Sequence, residues 1–562
     1  MSGPVPFDRA EALERLAATE FDLLVVGAGV TGAGVALDAA SRGLRTALVE
    51  RDDFASGTSS KSSKLVHGGL RYLQQGDVRL VYQALRERQI LRHTAPHLVE
   101  ILPFLIPIFS KDGLINRKLA RAMGTAMWMY DLTGGARIGK LHKRLKVDEA
   151  VAHMPTLPRD RLAGAYLYYD ARADDARLTL TLARTAALDH DAVVANGVGL
   201  VGIDKDGAGR VTGATLRTAE GDELHVACKA VVNAAGVWSD DVRQLDEGTH
   251  PHSIRPAKGI HITVPWSLVR NDIAAVIPVP KDKRSVFVVP WGEFTYIGTT
   301  DTDYDGPVDD PQCTDEDIAY LLGAINGAVT SEITAEDIVG TWAGLRPLVK
   351  DATSNRTADL SRRHKVTRSP SGVVTITGGK LTTYREMAAD TVDDVVGYLG
   401  ALDHPVSRRS LTRKLRLRGA KGYEDEVGRD EELAERYGGE AAAVRALVGD
   451  DPGLGAPLGA GPPDRKAGAG CAPPPGEAPT PPPPHAPPPP LADVLPRPPR
   501  ARLLARDASA DAAPEVAALL SPELGWDEAE QKRQVAEYQA SIDHERTSAN
   551  LPLSDPQGAP RA

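Results

Sequence analysis

A chain of 562 residues with 42% apolar content is too long for one hydrophobic core and ordinary for a globular protein, so two or three domains are expected. Its formal charge of -10, from 66 basic and 76 acidic side chains, creates no global field for nucleic acid or an anionic membrane, and any anionic ligand must meet a local basic cluster. Three scattered cysteines, Cys228, Cys313 and Cys471, make neither a disulfide framework nor a metal site; no metal is expected, and a reducing cytoplasm fits best.

In chain order, residues 1–20 carry no basic segment followed by an apolar one, and no apolar run reaches about eighteen residues, so neither secretion nor a membrane span is expected. Phe7–Thr19 has the spacing of a short amphipathic helix. Asp22–Val26, Thr31–Arg42 and Thr46–Val49 then read as strand, helix and strand. Val78–His93 reads as a helix, and Ile101–Phe109, interrupted by Pro103 and Pro107, as an edge strand. From about 193 to 300, short β-rich segments (Ala192–Ile203, Val211–Arg217, His261–Val264, Ser285–Pro290) imply a second, sheet-based subdomain. A helical domain begins near Ser410, with helices expected over Asp430–Val448, Ala513–Leu520 and Asp527–Ser541. Gly461–Pro499 is dominated by proline and is expected to be extended or disordered, outside the folded catalytic unit. A frame error and a genuine insertion are both open explanations for it, and the flanking helices are expected to dock poorly.

The strongest chemical signal is Gly27-Ala28-Gly29-Val30-Thr31-Gly32, placed between a strand and a helix. Gly27 permits the turn, Gly29 lets backbone approach a pyrophosphate, Gly32 allows close helix packing, and the helix N-terminus offers N–H groups to phosphate. Glu50, at the end of the second strand, suits the ribose hydroxyls of an adenosine. FAD and NAD both use this fingerprint. Two further glycine-bearing strand ends, Ala234-Ala235-Gly236 and Gly378-Gly379, suit a long extended cofactor such as FAD.

Together with Thr58–Leu73, Lys258–His261, Ile297–Asp301, Gly344–Leu348 and Gly378–Arg385, these segments resemble the FAD-dependent glycerol-3-phosphate dehydrogenases, over roughly Phe21 to Arg418. That family sits within the flavoproteins related to D-amino-acid oxidase. The resemblance implies an α/β fold: a glutathione-reductase-type FAD-binding Rossmann domain, a β-sheet substrate domain, and a C-terminal α-helical domain. The boundaries expected are an N-terminal helix over 1–20, an FAD-dependent oxidoreductase domain over 21–400 with the substrate sheet inserted at about 255–345, and a helical domain over 401–562 interrupted at 461–499.

The same resemblance implies sn-glycerol 3-phosphate as substrate, oxidised to dihydroxyacetone phosphate by hydride transfer to flavin N5, with electrons delivered to a membrane quinone. It places Arg71, Tyr72, Arg346, Arg362 and Lys380 around the substrate, Arg362 being uncertain by one position because Arg363 follows it. His67 is the proton-acceptor candidate, since its ordinary pKa lies near neutrality, while Lys380 or Arg346 would stabilise the alkoxide. Tyr384 is a further hydroxyl donor. Around the cofactor it places Thr58, Ser59, Ser63, Lys64, Gly69, Ala235, Gly236, Gly379, Thr382 and Thr383, beside Gly27, Gly29, Gly32 and Glu50. Three matters stay open. The acceptor could be oxygen rather than a quinone, or the protein a catalytically silent flavin-binding module. Asn116–Tyr130, basic and then rich in Met and Trp, either lies in the inner surface of the cell membrane or packs internally. A homodimer is an assembly open to the chain.

Overall fold

The computed structural model describes residues 7–70, 72, 77–109, 117–134, 138–279, 284–350, 363–401, 409–450, 491 and 501–554, the side chains of 117–123, 447–450 and 523 excepted. The first sheet has the order β7-β2-β1-β11-β19-β18, namely Val193–Ala195, Thr46–Val49, Leu23–Val26, Val231–Asn233, Val373–Thr377 and Lys365–Arg368. All neighbours run parallel except β18. Their side chains are buried on both faces, which is why β1 and β2 read as unbroken apolar runs. The helices Val30–Ser41, Asp175–His190 and Tyr384–Gly400 cover one face with a shared core. The antiparallel strands β8 (Val198–Lys205), β9 (Val211–Thr218) and β10 (Glu223–Ala227) cover the other, together with the Arg9–Ala18 helix. Asp8 caps that helix by accepting from the Glu11 N–H at 2.9 Å, and Leu16 is its buried anchor.

The second sheet has ten strands: β3 (Leu65–Val66), β4 (Val99–Phe109), β5 (Lys143–Leu145), β6 (Leu162–Ala173), β12 (Ile254–Pro265), β13 (Ala274–Pro278), β14 (Ser285–Trp291), β15 (Phe294–Gly298), β16 (Thr302–Asp303) and β17 (Gly340–Val349). It therefore reaches beyond the 255–345 stretch expected for it. The edge-strand reading of Ile101–Phe109 is corrected: β4 is interior, paired along its length with β6 and, on the other side, with β13. Pro103 and Pro107 lie four residues apart, so their missing donors face the same side of the strand, and β13 pairs only at Phe104 and Leu105. An antiparallel register from Ile254↔Val349 to Thr263↔Gly340 joins β12 to β17 and sets Ala257 opposite Arg346 and His261 opposite Trp342.

The expectation of poorly docked C-terminal helices is also corrected. Arg506–Leu524 and Glu528–Ser548 share a core around Val516, Leu520 and Tyr538. They are tied to the second sheet: the Thr341 hydroxyl donates to Glu545 at 2.6 Å, Arg502 pairs with Glu545 at 2.8 Å, and the Thr263 hydroxyl donates to the Leu503 carbonyl at 2.7 Å. Before them, Glu440 pairs with Arg184 of the first domain and with Arg418 of its own. The expectation for 461–499 lies outside the described residues except at Leu491, which is buried in the same helical core. Among the described residues no helix is long and apolar enough to cross a membrane.

Candidate active site

The first sheet delivers its glycines to one end of a cavity of about 610 Å³. Gly27 has φ +98°, and a Cβ there would come within 2.8 Å of the Ala234 carbonyl, so the turn admits only glycine. Gly29 caps the Val30–Ser41 helix with no side chain of its own, and Ser59 Oγ accepts from the Val30 N–H at 2.9 Å. Gly32 faces inward, where a Cβ would meet the Gly27 carbonyl at 1.8 Å, and it packs helix on turn rather than lining the cavity. Glu50 accepts from the Ala28 N–H at 2.7 Å and the Asp52 N–H at 3.1 Å, which holds its carboxylate at the mouth of the same turn. Ala235 and Gly236, just past β11, complete this end.

The other end is built from the second sheet and two connecting segments. Residues 58–63 are stitched to the strands: the Thr58 hydroxyl donates to Leu345 O at 2.6 Å, Tyr296 to Ser63 O at 2.9 Å, and Trp342 Nε1 to Ser62 O at 3.2 Å. On β17 the Arg346 guanidinium donates to Asp301 at 3.3 Å and to the Thr299 hydroxyl and Thr300 carbonyl at 3.2 Å each. After β19, Gly378 and Gly379 have φ of +74° and +83°, which turns the chain so that Lys380 enters the cavity. Lys380 Nζ lies 3.7 Å from the centroid of the Tyr72 ring, a close cation–π contact. Gly69 makes room for both, since a Cβ there would meet Tyr72 at 2.5 Å.

His67 lines the same cavity. Its backbone N–H donates to Thr382 Oγ1 at 3.1 Å and its ring meets Phe287 edge-on. Burial pushes its imidazole down to about 4; the Asp170 charge opposes the shift, and Lys380 and Arg88 add to it. Beneath it, Asp170 takes Arg88 at 2.5 Å, Tyr130 OH at 2.7 Å and the Gly68 N–H at 3.2 Å, a buried network that fixes the 67–69 backbone. At neutral pH His67 is therefore neutral, and added negative charge nearby would raise its proton affinity.

Of the residues expected at the site, the cavity brings together Gly27, Gly29, Glu50, Thr58, Ser59, Ser63, His67, Gly69, Tyr72, Ala235, Gly236, Arg346, Gly379, Lys380 and Thr382. Besides Gly32, three point elsewhere. Lys64 is fully buried with φ +56° and pairs with Asp175 at 3.0 Å while donating to Ser60 O, so its ammonium is turned inward, away from the cavity. Thr383 closes the Leu381–Thr383 turn, its N–H donating to Lys380 O at 3.0 Å. Tyr384 packs between helices against Gly34, with its phenol pushed up by burial. Arg71 and Arg362 lie outside the described residues. The neighbouring Arg363 pairs at the surface with Asp77, 3.0 Å away.

His261 was quoted within a motif but given no role. It stacks on Trp342 at 4.6 Å, with Nε2 2.9 Å from Ser63 Oγ, and burial followed by the Lys64 and Arg346 charges pushes it well below its ordinary value. Thr299, Thr300, Asp301 and Trp238 were likewise assigned nothing; only their order within Ile297–Asp301 and Gly236–Trp238 signalled them.

The donor set fits an extended dinucleotide. A glycine-capped helix N-terminus and an oriented acid stand at one end, and cations with a neutral imidazole stand at the other, inside one cavity of cofactor size. Residues 22–385 match the family described as FAD dependent oxidoreductase (DAO), which defines the class. Over 97% of its length the chain is 40% identical to Glycerol-3-phosphate dehydrogenase 2 of Mycobacterium bovis and 39% identical to the Glycerol-3-phosphate dehydrogenase of Mycobacterium leprae, covering 92% of each. Among solved structures, the glycerol-3-phosphate dehydrogenase from Bacillus halodurans complexed with FAD matches with a TM-score of 0.71 and 27% identity, over 97% of this chain and 98% of that one. The chain belongs to the FAD-dependent glycerol-3-phosphate dehydrogenases, and FAD is its cofactor.

Proposed function

We infer that this protein oxidises sn-glycerol 3-phosphate to dihydroxyacetone phosphate and passes the electrons to a membrane quinone, as a step of glycerol catabolism. The observation that carries the reading is the single cavity that joins the Gly29 and Glu50 end to Arg346, Lys380, Tyr72 and His67. Bound FAD supplies the two-electron, hydride-accepting chemistry. In this reading Arg346 and Lys380, with Arg71 and Arg362 from the sequence, hold the phosphate and the developing alkoxide. Tyr72 orients Lys380, and His67 takes the C2 hydroxyl proton at its imidazole. A dianionic substrate offsets the desolvation that keeps His67 neutral, so its proton affinity rises when the substrate arrives.

Location at the inner membrane face is supported by the Arg117–Thr133 helix, which leaves Trp128, Met129 and Leu132 exposed, next to exposed Leu141 and the basic run Lys140, Lys143, Arg144 and Lys146. The acceptor is tested by turnover of the purified holoprotein with sn-glycerol 3-phosphate, comparing a soluble quinone under argon with oxygen alone. Quinone-dependent turnover far above peroxide formation supports the reading. Peroxide at the full rate moves the protein to the oxidases, and no turnover with either acceptor leaves a silent binding module.

A further inference from the structure

Residues 304–314 cross between the two domains, and both ends of the crossing are rooted in the second sheet. At the entry, β16 pairs with β12 through Ala257↔Asp303 and Lys258↔Thr302, and Asp303 takes Arg255 at 2.6 Å. At the exit, the buried Lys258 ammonium donates to Gln312 O at 3.3 Å and pairs with Asp317 at 2.5 Å, while Cys313 is packed into the sheet's core. Pro307 and Pro311 stiffen the span, because each fixes its own φ.

The tip of this span touches the other domain. Asp309 Oδ1 accepts from Arg51 Nη2 at 2.7 Å and from Trp238 Nε1 at 2.9 Å. Arg51 directly follows Glu50, and Trp238 lies in the turn after β11; both line the cavity at the end where the fingerprint places the adenosine. The Arg51 guanidinium stands 5.1 Å from the Trp238 ring centroid, and that ring packs so closely on the 56–59 segment that a Cβ on Gly57 would come within 3.0 Å of it. One carboxylate thus holds a cation and an indole together across the mouth of the cleft.

The geometry points to a cofactor clasp: the 304–314 strap, through Asp309, holds Arg51 and Trp238 over the adenosine end of bound FAD and sets how fast the cofactor leaves. Asp309 is a positioning residue here, acting through Arg51 and Trp238. The clasp is independent of the substrate and of the electron acceptor. It also gives Lys258 a role as the anchor of the strap's base. Because Arg51 and Asp309 are 50% and 67% exposed, the clasp loosens as salt screens the pair.

The test is FAD release from the holoprotein, followed by the rise of free flavin fluorescence after dilution, at low and high ionic strength. Asp309→Ala removes an exposed ion pair and one hydrogen bond, and is expected to speed release by roughly three- to tenfold at low salt. Asp309→Asn keeps an acceptor for Trp238 and is expected to fall between Ala and wild type. Both substitutions should flatten the salt dependence that the wild type shows. Asp305→Ala, an equal charge change on the same strap, should release FAD at the wild-type rate. Release from Asp309→Ala at the wild-type rate, or equal acceleration in Asp305→Ala, overturns the clasp.

Discussion

Gly259→Ala should disable the site from a strand that does not line the cavity. Gly259 lies on β12, and a Cβ there would stand 2.5 Å and 2.6 Å from the two terminal nitrogens of Arg346 and 2.6 Å from Thr299 Oγ1. Ordinary contact requires about 3.5 Å, so the guanidinium must move by about 1 Å. That shift breaks its 3.2 Å bonds to Thr299 and Thr300, and a misplacement of about 1 Å costs up to roughly 100-fold in rate. Arg346→Lys removes the fork at its source. Losing a charge-assisted contact of about 1.5–3 kcal/mol lowers kcat/KM by roughly ten- to somewhat over a hundredfold. Since both substitutions act on one group, Gly259→Ala combined with Arg346→Lys should cost little more than the lysine alone, a coupling of about 1–3 kcal/mol. The assay is kcat/KM for sn-glycerol 3-phosphate in the four proteins, with thermal melts as the control for folding. Additive losses, or wild-type kcat/KM in Gly259→Ala, would refute the idea that Arg346 acts through the geometry of its guanidinium.

Glu50→Gln should raise the Kd for FAD by roughly tenfold or more, because an amide replaces a carboxylate where the ribose is expected; titration of the apoprotein by flavin fluorescence checks this, and an unchanged Kd contradicts it. Lys64→Met strands Asp175 in the core and should destabilise the fold by about 3–5 kcal/mol, while the folded fraction binds FAD as before; a selective loss of flavin affinity would return Lys64 to the cofactor. His67 and His97 are both held down to about 4 by burial, against an ordinary value of about 6.5 in the unfolded chain. The unfolded chain therefore binds protons first as pH falls, so stability is full above about 6.5 and is lost between about 6.5 and 4. At pH 5 each group accounts for about 2 kcal/mol of that loss, and His67→Gln should recover its share relative to pH 7 in urea titrations; an identical loss in the variant would place the imidazole in water.

The nucleotide-binding half was legible because its signals are contiguous. A buried parallel strand is apolar throughout, its turn needs glycine, and its acid follows within one βαβ unit, so β1, the Val30–Ser41 helix and β2 appear nearly residue for residue. The second sheet was legible only in pieces, because β4 pairs with β6 on one side and, across 170 residues of chain (Phe104 to Ala274), with β13 on the other, and nothing local in Val99–Phe109 announces an interior partner. Lys64 misled for a reason of direction. Its neighbour Ser63 faces the cavity, but the positive φ at Lys64 turns its side chain inward to Asp175. Arg346 and Lys380 were assigned through order of motifs and line the cavity, whereas His261 and Asp309 depend on which atoms lie opposite them in the fold, and spacing along the chain carries no trace of that.

The central claim is that this cavity holds FAD and sn-glycerol 3-phosphate together in reacting order. It is tested most directly by adding sn-glycerol 3-phosphate to the purified, flavin-loaded protein under strict anaerobiosis while recording the flavin absorption band. The account predicts bleaching with one equivalent of dihydroxyacetone phosphate formed per flavin, and none with glycerol or a D-amino acid. A band unchanged by sn-glycerol 3-phosphate, in protein that retains its FAD, would contradict it.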